Sequence, residues 1–237
     1  MKKSIIVGTI LMACSVFAAP VLEYDFNTGK MFPAKPVLVG NPEIKDGALV
    51  LDAEKKQYLE LPKDLNVSAA RNCTFYTVLR FGEDGSMKND GSGKKVEWQG
   101  TYGMLFFRKN DFIVGMFRQN LYLNCAKADR KWFSPGLLVP MKNFNQWYRL
   151  ACTFRNDDGI TTATLYLDGR KIGSKKFADV YGDSKNTATF GKGWGGTWFF
   201  SGEVVKIMVY NEILSAKQIA SMSEADAALI KRSPLER

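Results

Sequence analysis

From Val21 to about Tyr210 the apolar positions come in short runs interleaved with polar ones, and turn residues close each run. Leu22-Glu23-Tyr24-Asp25-Phe26 alternates and ends on Asn27-Thr28-Gly29. Asp46-Gly47 leads into Ala48-Leu49-Val50-Leu51-Asp52, Pro62 closes Gln57-Tyr58-Leu59-Glu60-Leu61, and 73–81 is a longer β-like run. Runs 103–108 and 112–117 flank Lys109-Asn110-Asp111, the pattern of a hairpin, and 121–125 follows. In 147–154, Leu150 and Cys152 point to one face of a strand and Ala151 and Thr153 to the other. Asn156-Asp157-Asp158-Gly159 and Asp168-Gly169 are turns around the strand 162–168, and runs 187–190 and 204–210 complete the set. Residues 82–95, rich in Gly and Asp, read as an exposed, mobile loop.

No helical crossover pattern interrupts this array. It predicts an all-β, two-sheet antiparallel β-sandwich of the jelly-roll type. Helical signals come only at the end: Ser215-Ala216-Lys217-Gln218 is a capping box, and Ser223-Glu224-Ala225-Asp226 offers a second start. A length of 237 residues suits one such domain with a full core.

The N-terminus has a basic start (Lys2, Lys3), an apolar run 4–17 and the small-x-small sequence Val16-Phe17-Ala18, the layout of a secretory signal peptide. Leu11-Met12-Ala13-Cys14 offers a rival, a lipoprotein box with the lipid on Cys14, although Met12 fits it poorly. The run is too short to span a bilayer, and there is no other transmembrane candidate. The expected organisation is a signal peptide over 1–18, a jelly roll over 19–222 and a helical tail over 223–237. The location is secreted, periplasmic or at the cell surface.

The 33 Lys and Arg against 24 Asp and Glu give a net charge of +9; removing Lys2 and Lys3 leaves 31 against 24, or +7. That surplus suits an acidic glycan or a cell-surface protein, while no cluster or motif indicates nucleic acid. There is no histidine, which excludes His-based triads, bases and metal sites. Cys73, Cys125 and Cys152 lie in apolar segments, either as one disulfide and a free thiol or as three small hydrophobes. Asp25, Asp46, Asp52 and Asp168 fall near turns and leave calcium open, although no loop motif fixes a site.

The ordered signals resemble the laminin-G-like, concanavalin A-like lectin/glucanase jelly-roll superfamily. They are Tyr24-Asp25-Phe26, Gly47-Ala48-Leu49, Tyr58-Leu59-Glu60-Leu61-Pro62, Cys73-Thr74-Phe75, Trp147 through Ala151 to Thr153, Tyr166-Leu167-Asp168-Gly169, Gly202-Glu203-Val204, Tyr210-Asn211 and Leu214-Ser215. The resemblance covers nearly all of 21–222 and implies a concanavalin A-like sandwich. Two features depart from it. Val205 and Lys206 stand where members often carry an acidic pair, and Gly191-Lys192-Gly193-Trp194 has no carboxylate where the pentraxin branch binds calcium. Enzymes of the superfamily often carry Glu-x-Asp-x-x-Glu on one strand, and no such run exists here.

The residues themselves favour aromatic stacking over catalysis. The loop 191–198 bears Trp194 and Trp198 among four glycines, which let the backbone approach a ligand. Trp132 and Tyr102 come next, with Arg108 and Arg118 as polar or charged contacts. The alternative for Trp194 and Trp198 is a hydrophobic lid on the end of the sandwich. The reading is an exported, non-catalytic, carbohydrate-binding module. Its rivals are a cell-surface or matrix protein-interaction module and an atypical glycan-active enzyme.

Overall fold

In the computed structural model, Asp168 and Gly169 both have positive φ (50° and 79°), the left-handed pair a two-residue hairpin turn demands. Turns of this kind and longer connections join sixteen strands among the described residues. In chain order these are β1 (Leu22–Asp25), β2 (Lys30–Phe32), β3 (Val37–Val39), β4 (Glu43–Lys45), β5 (Ala48–Leu51), β6 (Tyr58–Glu60), β7 (Cys73–Phe81) and β8 (Tyr102–Arg108). They continue with β9 (Phe112–Phe117), β10 (Asn120–Cys125), β11 (Leu137–Pro140), β12 (Trp147–Asp157), β13 (Ile160–Leu167), β14 (Arg170–Ala178), β15 (Thr189–Phe190) and β16 (Gly202–Tyr210). One helix, α1 (Ala216–Ile230), follows. The described residues are 19–82, 102–117, 119–141, 144, 146–182, 184–196 and 198–230, with Tyr102 and Gly196 described by backbone alone. The loop expected at 82–95 lies outside them beyond Gly82, as do the 1–18 segment with Cys14, and Arg118.

The strands form two antiparallel sheets. One runs β14-β13-β12-β7-β16-β1-β2, with β5 also paired to β16 and β4 to β5; the other runs β11-β10-β9-β8-β15-β6-β3. This is the expected β-sandwich of jelly-roll type. Its core is the layer where the inward residues of both sheets meet. Phe75 of the first sheet lies 4.9 Å from Phe106 and 4.8 Å from Phe112 of the second, measured between ring centres. Cys73, Cys125 and Cys152 are free thiols within this core, and burial pushes each well above the ordinary thiol range.

The two outer faces differ. The first sheet's outer face carries Tyr76, Val78, Ala151 and Tyr210 and lies under α1, against Ile219 and Ile230. The expected capping box starts this helix: Gln218 N–H donates to Ser215 Oγ (3.2 Å), and Gln218 Oε1 accepts from Ser215 N–H (2.9 Å). Ser223 begins no second helix. It lies buried mid-helix with Asp226. A bulge in β16 turns both Val205 and Lys206 outward, so Lys206 meets Asp226 Oδ1 at 2.5 Å and Asp25 Oδ2 at 3.6 Å. Burial works to lower the Lys206 ammonium, but the two carboxylates outweigh it and hold it above its ordinary value. Tyr76 OH also donates to Asp226 (2.7 Å). Lys206, standing where relatives of the fold often carry an acid, is thus the clasp between sheet and helix.

Candidate functional site

The second sheet has no helix on its outer face among the described residues, yet that face is apolar. A bulge in β8 turns Leu105 and Phe106 inward together, leaving Met104 and Phe107 outward. Their cross-strand neighbours are Gly115 and Ile113 on β9, followed by Tyr122 and Asn124 on β10. Met104, Phe107 and Ile113 are buried, because Tyr122, Trp132 and Trp198 pack over them. Two loops deliver this cover.

The first loop lies between β10 and β11. Its Ala126–Trp132 bridge, closed by Lys127 N–H to Lys131 O (2.7 Å), folds Trp132 back to 6.4 Å from Phe107. Asn124 Nδ2 donates to Tyr122 OH (2.7 Å) and to Phe133 O (2.8 Å), which ties this loop to the sheet.

The second is the glycine-rich loop between β15 and β16. Phe200 N–H donates to Gly191 O (2.9 Å), closing its neck, and Thr189 Oγ donates to Lys192 O (2.8 Å). Met104 N–H donates to Trp198 O (3.2 Å), pinning the loop to β8. Gly193 is required by closeness: a Cβ there would run into Met104 Cγ. A short 3₁₀ turn, Trp194–Gly196, then lifts Trp194 off the sheet.

Trp194 is the outermost of the three rings, 41% exposed, and meets Trp132 edge-on at 5.9 Å and 62°. Trp132 and Trp198 are half-buried. Trp198 and Trp132 thus pack over the sheet, whereas Trp194 is the more exposed ring. Lys192 of the same loop sits 4.2 Å over the Tyr58 ring and donates to its hydroxyl (3.1 Å).

Of the remaining candidates, Arg108 does not join this group, and Arg118 lies outside the described residues. Tyr102 begins β8 in register with Phe117, and its side chain is not among the described ones. Arg108 is buried away from the tryptophans: its guanidinium donates to the Val67 and Leu65 carbonyls and stands 3.7 Å from Asp111. The sequence signal for the floor of the site was present but unread. Met104-Leu105-Phe106-Phe107 and Phe112-Ile113-Val114 are apolar at consecutive positions, the mark of a strand covered on both faces.

Three of the four aspartates named for calcium are occupied otherwise. Asp25 accepts from Asn27 and Thr28 N–H, Asp52 from Glu54 N–H, and Asp168 from Arg149 N–H. Among the described residues no group of three Cys, Asp or Glu side chains is placed to hold a metal ion. Nor, among them, is any helix long and apolar enough to cross a membrane.

Residues 92–220 match the family model described as the concanavalin A-like lectin/glucanases superfamily. No curated protein matches the sequence. Among solved structures, the receptor-binding domain of botulinum neurotoxin C/D mosaic serotype is similar with a TM-score of 0.63 and 14% identity over 87% of this chain. The chain spans 51% of that domain. The binding domain of Paraclostridial Mosquitocidal Protein 1 gives 0.60 and 14%, covering 87% of this chain and 52% of its own. Domain 4 of an extracellular GH43 arabinanase from Geobacillus stearothermophilus, solved in complex with arabinotriose, gives 0.55 and 16% over 86% of this chain and 98% of its own. At these identities the likeness is one of fold.

Proposed function

The chain belongs to the concanavalin A-like lectin/glucanases superfamily, and from that premise we propose that it is an exported, non-catalytic carbohydrate-binding module that works through the outer face of its seven-stranded sheet. The observation that carries this reading is Trp194, 41% exposed and braced edge-on by Trp132 above the buried floor of Met104, Phe107 and Ile113. A sugar's C–H face lies flat on such a ring, and a ring held by its neighbours loses little freedom on binding. The platform side chains include no carboxylate, whereas glycoside hydrolysis needs two flanking the bond. The similar domains described above are named as binding domains or were solved with a saccharide, which supports the same class of activity. Export rests on the 1–18 segment as a cleaved signal peptide.

Tryptophan fluorescence of the mature chain, titrated with neutral and acidic polysaccharides, tests the proposal. A saturable shift is expected, weakened at least tenfold, or about 1.4 kcal/mol, in Trp194→Ala. No shift with any glycan, from a protein that melts cooperatively, would turn the reading to protein recognition on the same face.

A further inference from the structure

A cavity lies away from the tryptophans. It is lined by the segment between β6 and β7, by Arg108 at the end of β8, and by the segment between β14 and β15. Its volume is about 320 Å³, within the size class of small-ligand sites at roughly 300–1,000 Å³. Four cations line it, Lys63, Arg71, Arg108 and Lys185, and Asp64 is the one acidic residue among the described lining residues.

The walls are anchored. Arg108 is buried and fixed on the Leu65 and Val67 carbonyls, so its charge is held in place. Arg71 donates to Asn66 Oδ1 at the rim. Across the cavity, Ser184 Oγ (2.7 Å) and Asn186 Nδ2 (3.1 Å) both donate to Lys109 O, fixing the far wall to the β8–β9 turn. Lys63 is exposed and makes no ion pair among the described residues. A concave, polar wall with like charges on it concentrates its field inside the cavity, and that field is positive.

We propose that this cavity is a second binding site, taking the oxyanion of a sugar-sized ligand: a carboxylate or sulfate group borne on a polar ring. Arg108, its charge partly offset by Asp111 at 3.7 Å, is fixed at the base, and Lys63 and Arg71 close on the anion from the rim. The volume exceeds what a bare inorganic anion fills, and the Asn and Ser side chains suit hydroxyls. The site shares no residue with the tryptophan platform, so it stands independently of the function proposed above.

Isothermal titration of the mature chain tests it with four probes: a uronic-acid oligosaccharide, a sulfated oligosaccharide, their neutral counterpart and sodium sulfate. Binding of at least one charged oligosaccharide is expected, weakening with added salt. The doubly substituted Lys63→Gln, Arg71→Gln chain should lose at least tenfold in affinity, and the charge reversal Lys63→Glu should do the same alone. Both residues are exposed, so these variants should melt with the wild type. Trp194→Ala should leave this binding within twofold, which separates the site from the platform. The oligosaccharide that binds assigns carboxylate or sulfate. Equal binding of the neutral counterpart, unchanged affinity in the Lys63 and Arg71 variants, or binding of sodium sulfate with neither charged oligosaccharide would each overturn the proposal.

Discussion

Asp111 is fully enclosed. Its Oδ1 accepts from Ser68 Oγ (2.9 Å) and Ala69 N–H (2.8 Å), while Oδ2 has no hydrogen-bond partner. An adjacent arginine ordinarily lowers a carboxylate, yet here burial wins and the carboxyl is pushed up to about 6. Arg108 stands 3.7 Å off with two of its guanidinium nitrogens donating to backbone carbonyls, and its pull on the carboxylate is outweighed by burial. The folded chain therefore keeps the Asp111 proton where an unfolded aspartate, near pH 3.9, has lost it. That contribution is complete below about pH 4 and disappears as pH rises through about 6. Urea unfolding between pH 4 and 7 should show wild-type stability falling relative to Asp111→Asn by up to about 2 kcal/mol. Parallel pH profiles for the two proteins would show that Asp111 does not titrate this way. Arg108 teaches the same lesson. Beside Phe107 in sequence it looks like a ligand contact, because the carbonyls that hold it belong to residues 65 and 67.

At the scale of elements, the glycine-rich loop owes its seating to Gly193 and its shape to Gly195. The two glycines should respond differently to alanine. At Gly193 the methyl meets Met104 near its backbone, where the side chain has little room to yield. Gly193→Ala should cost about 1–3 kcal/mol and lift the loop, reducing the glycan-induced fluorescence shift. Gly195, at φ +61° with open space around it, should cost only the left-handed strain of about 1 kcal/mol and keep binding close to wild type. Thermal melts beside the glycan titration compare the two, and equal losses of binding would mean that the loop's contact with Met104 does not position Trp194. The turns and the capping box at Ser215 were legible because each is set by residues within a few positions of one another. Trp194 and Trp198 were legible as candidates for the same reason, since glycines next to aromatics mark a loop that cannot hide its rings, and Trp132 was legible from its loop-like, basic surroundings.

At the scale of the whole molecule the two sheets are treated unequally. The nine-stranded sheet has its outer face closed by α1, clasped by Asp226 to Lys206 and Tyr76. Among the described residues the seven-stranded sheet is covered by loops, and so it is the sheet left with aromatic surface to offer. Asp226→Ala should leave Lys206 with Asp25 alone and Tyr76 OH without its acceptor, costing about 3 kcal/mol. Hydrogen exchange should then show α1 opening ahead of the sheets, while glycan binding on the opposite sheet is unaffected. If α1 stays as protected as the core strands, packing of Ile219 and Ile230 rather than the clasp holds it.

By itself the sequence determined the strand-and-turn order, the antiparallel sandwich, the helix start and the presence of aromatic loops, because each depends on residue period or on short-range turn and capping chemistry. Only the tertiary structure decided the rest. It parted Arg108 from the tryptophans, brought Trp132 to Trp194 across 62 positions, set Lys206 between two carboxylates and gathered Lys63, Arg71, Arg108 and Lys185 around one cavity. Bulges at β8 and β16 and the crossing connections of the sandwich make those meetings, and a one-residue shift in a strand moves a side chain to the other face.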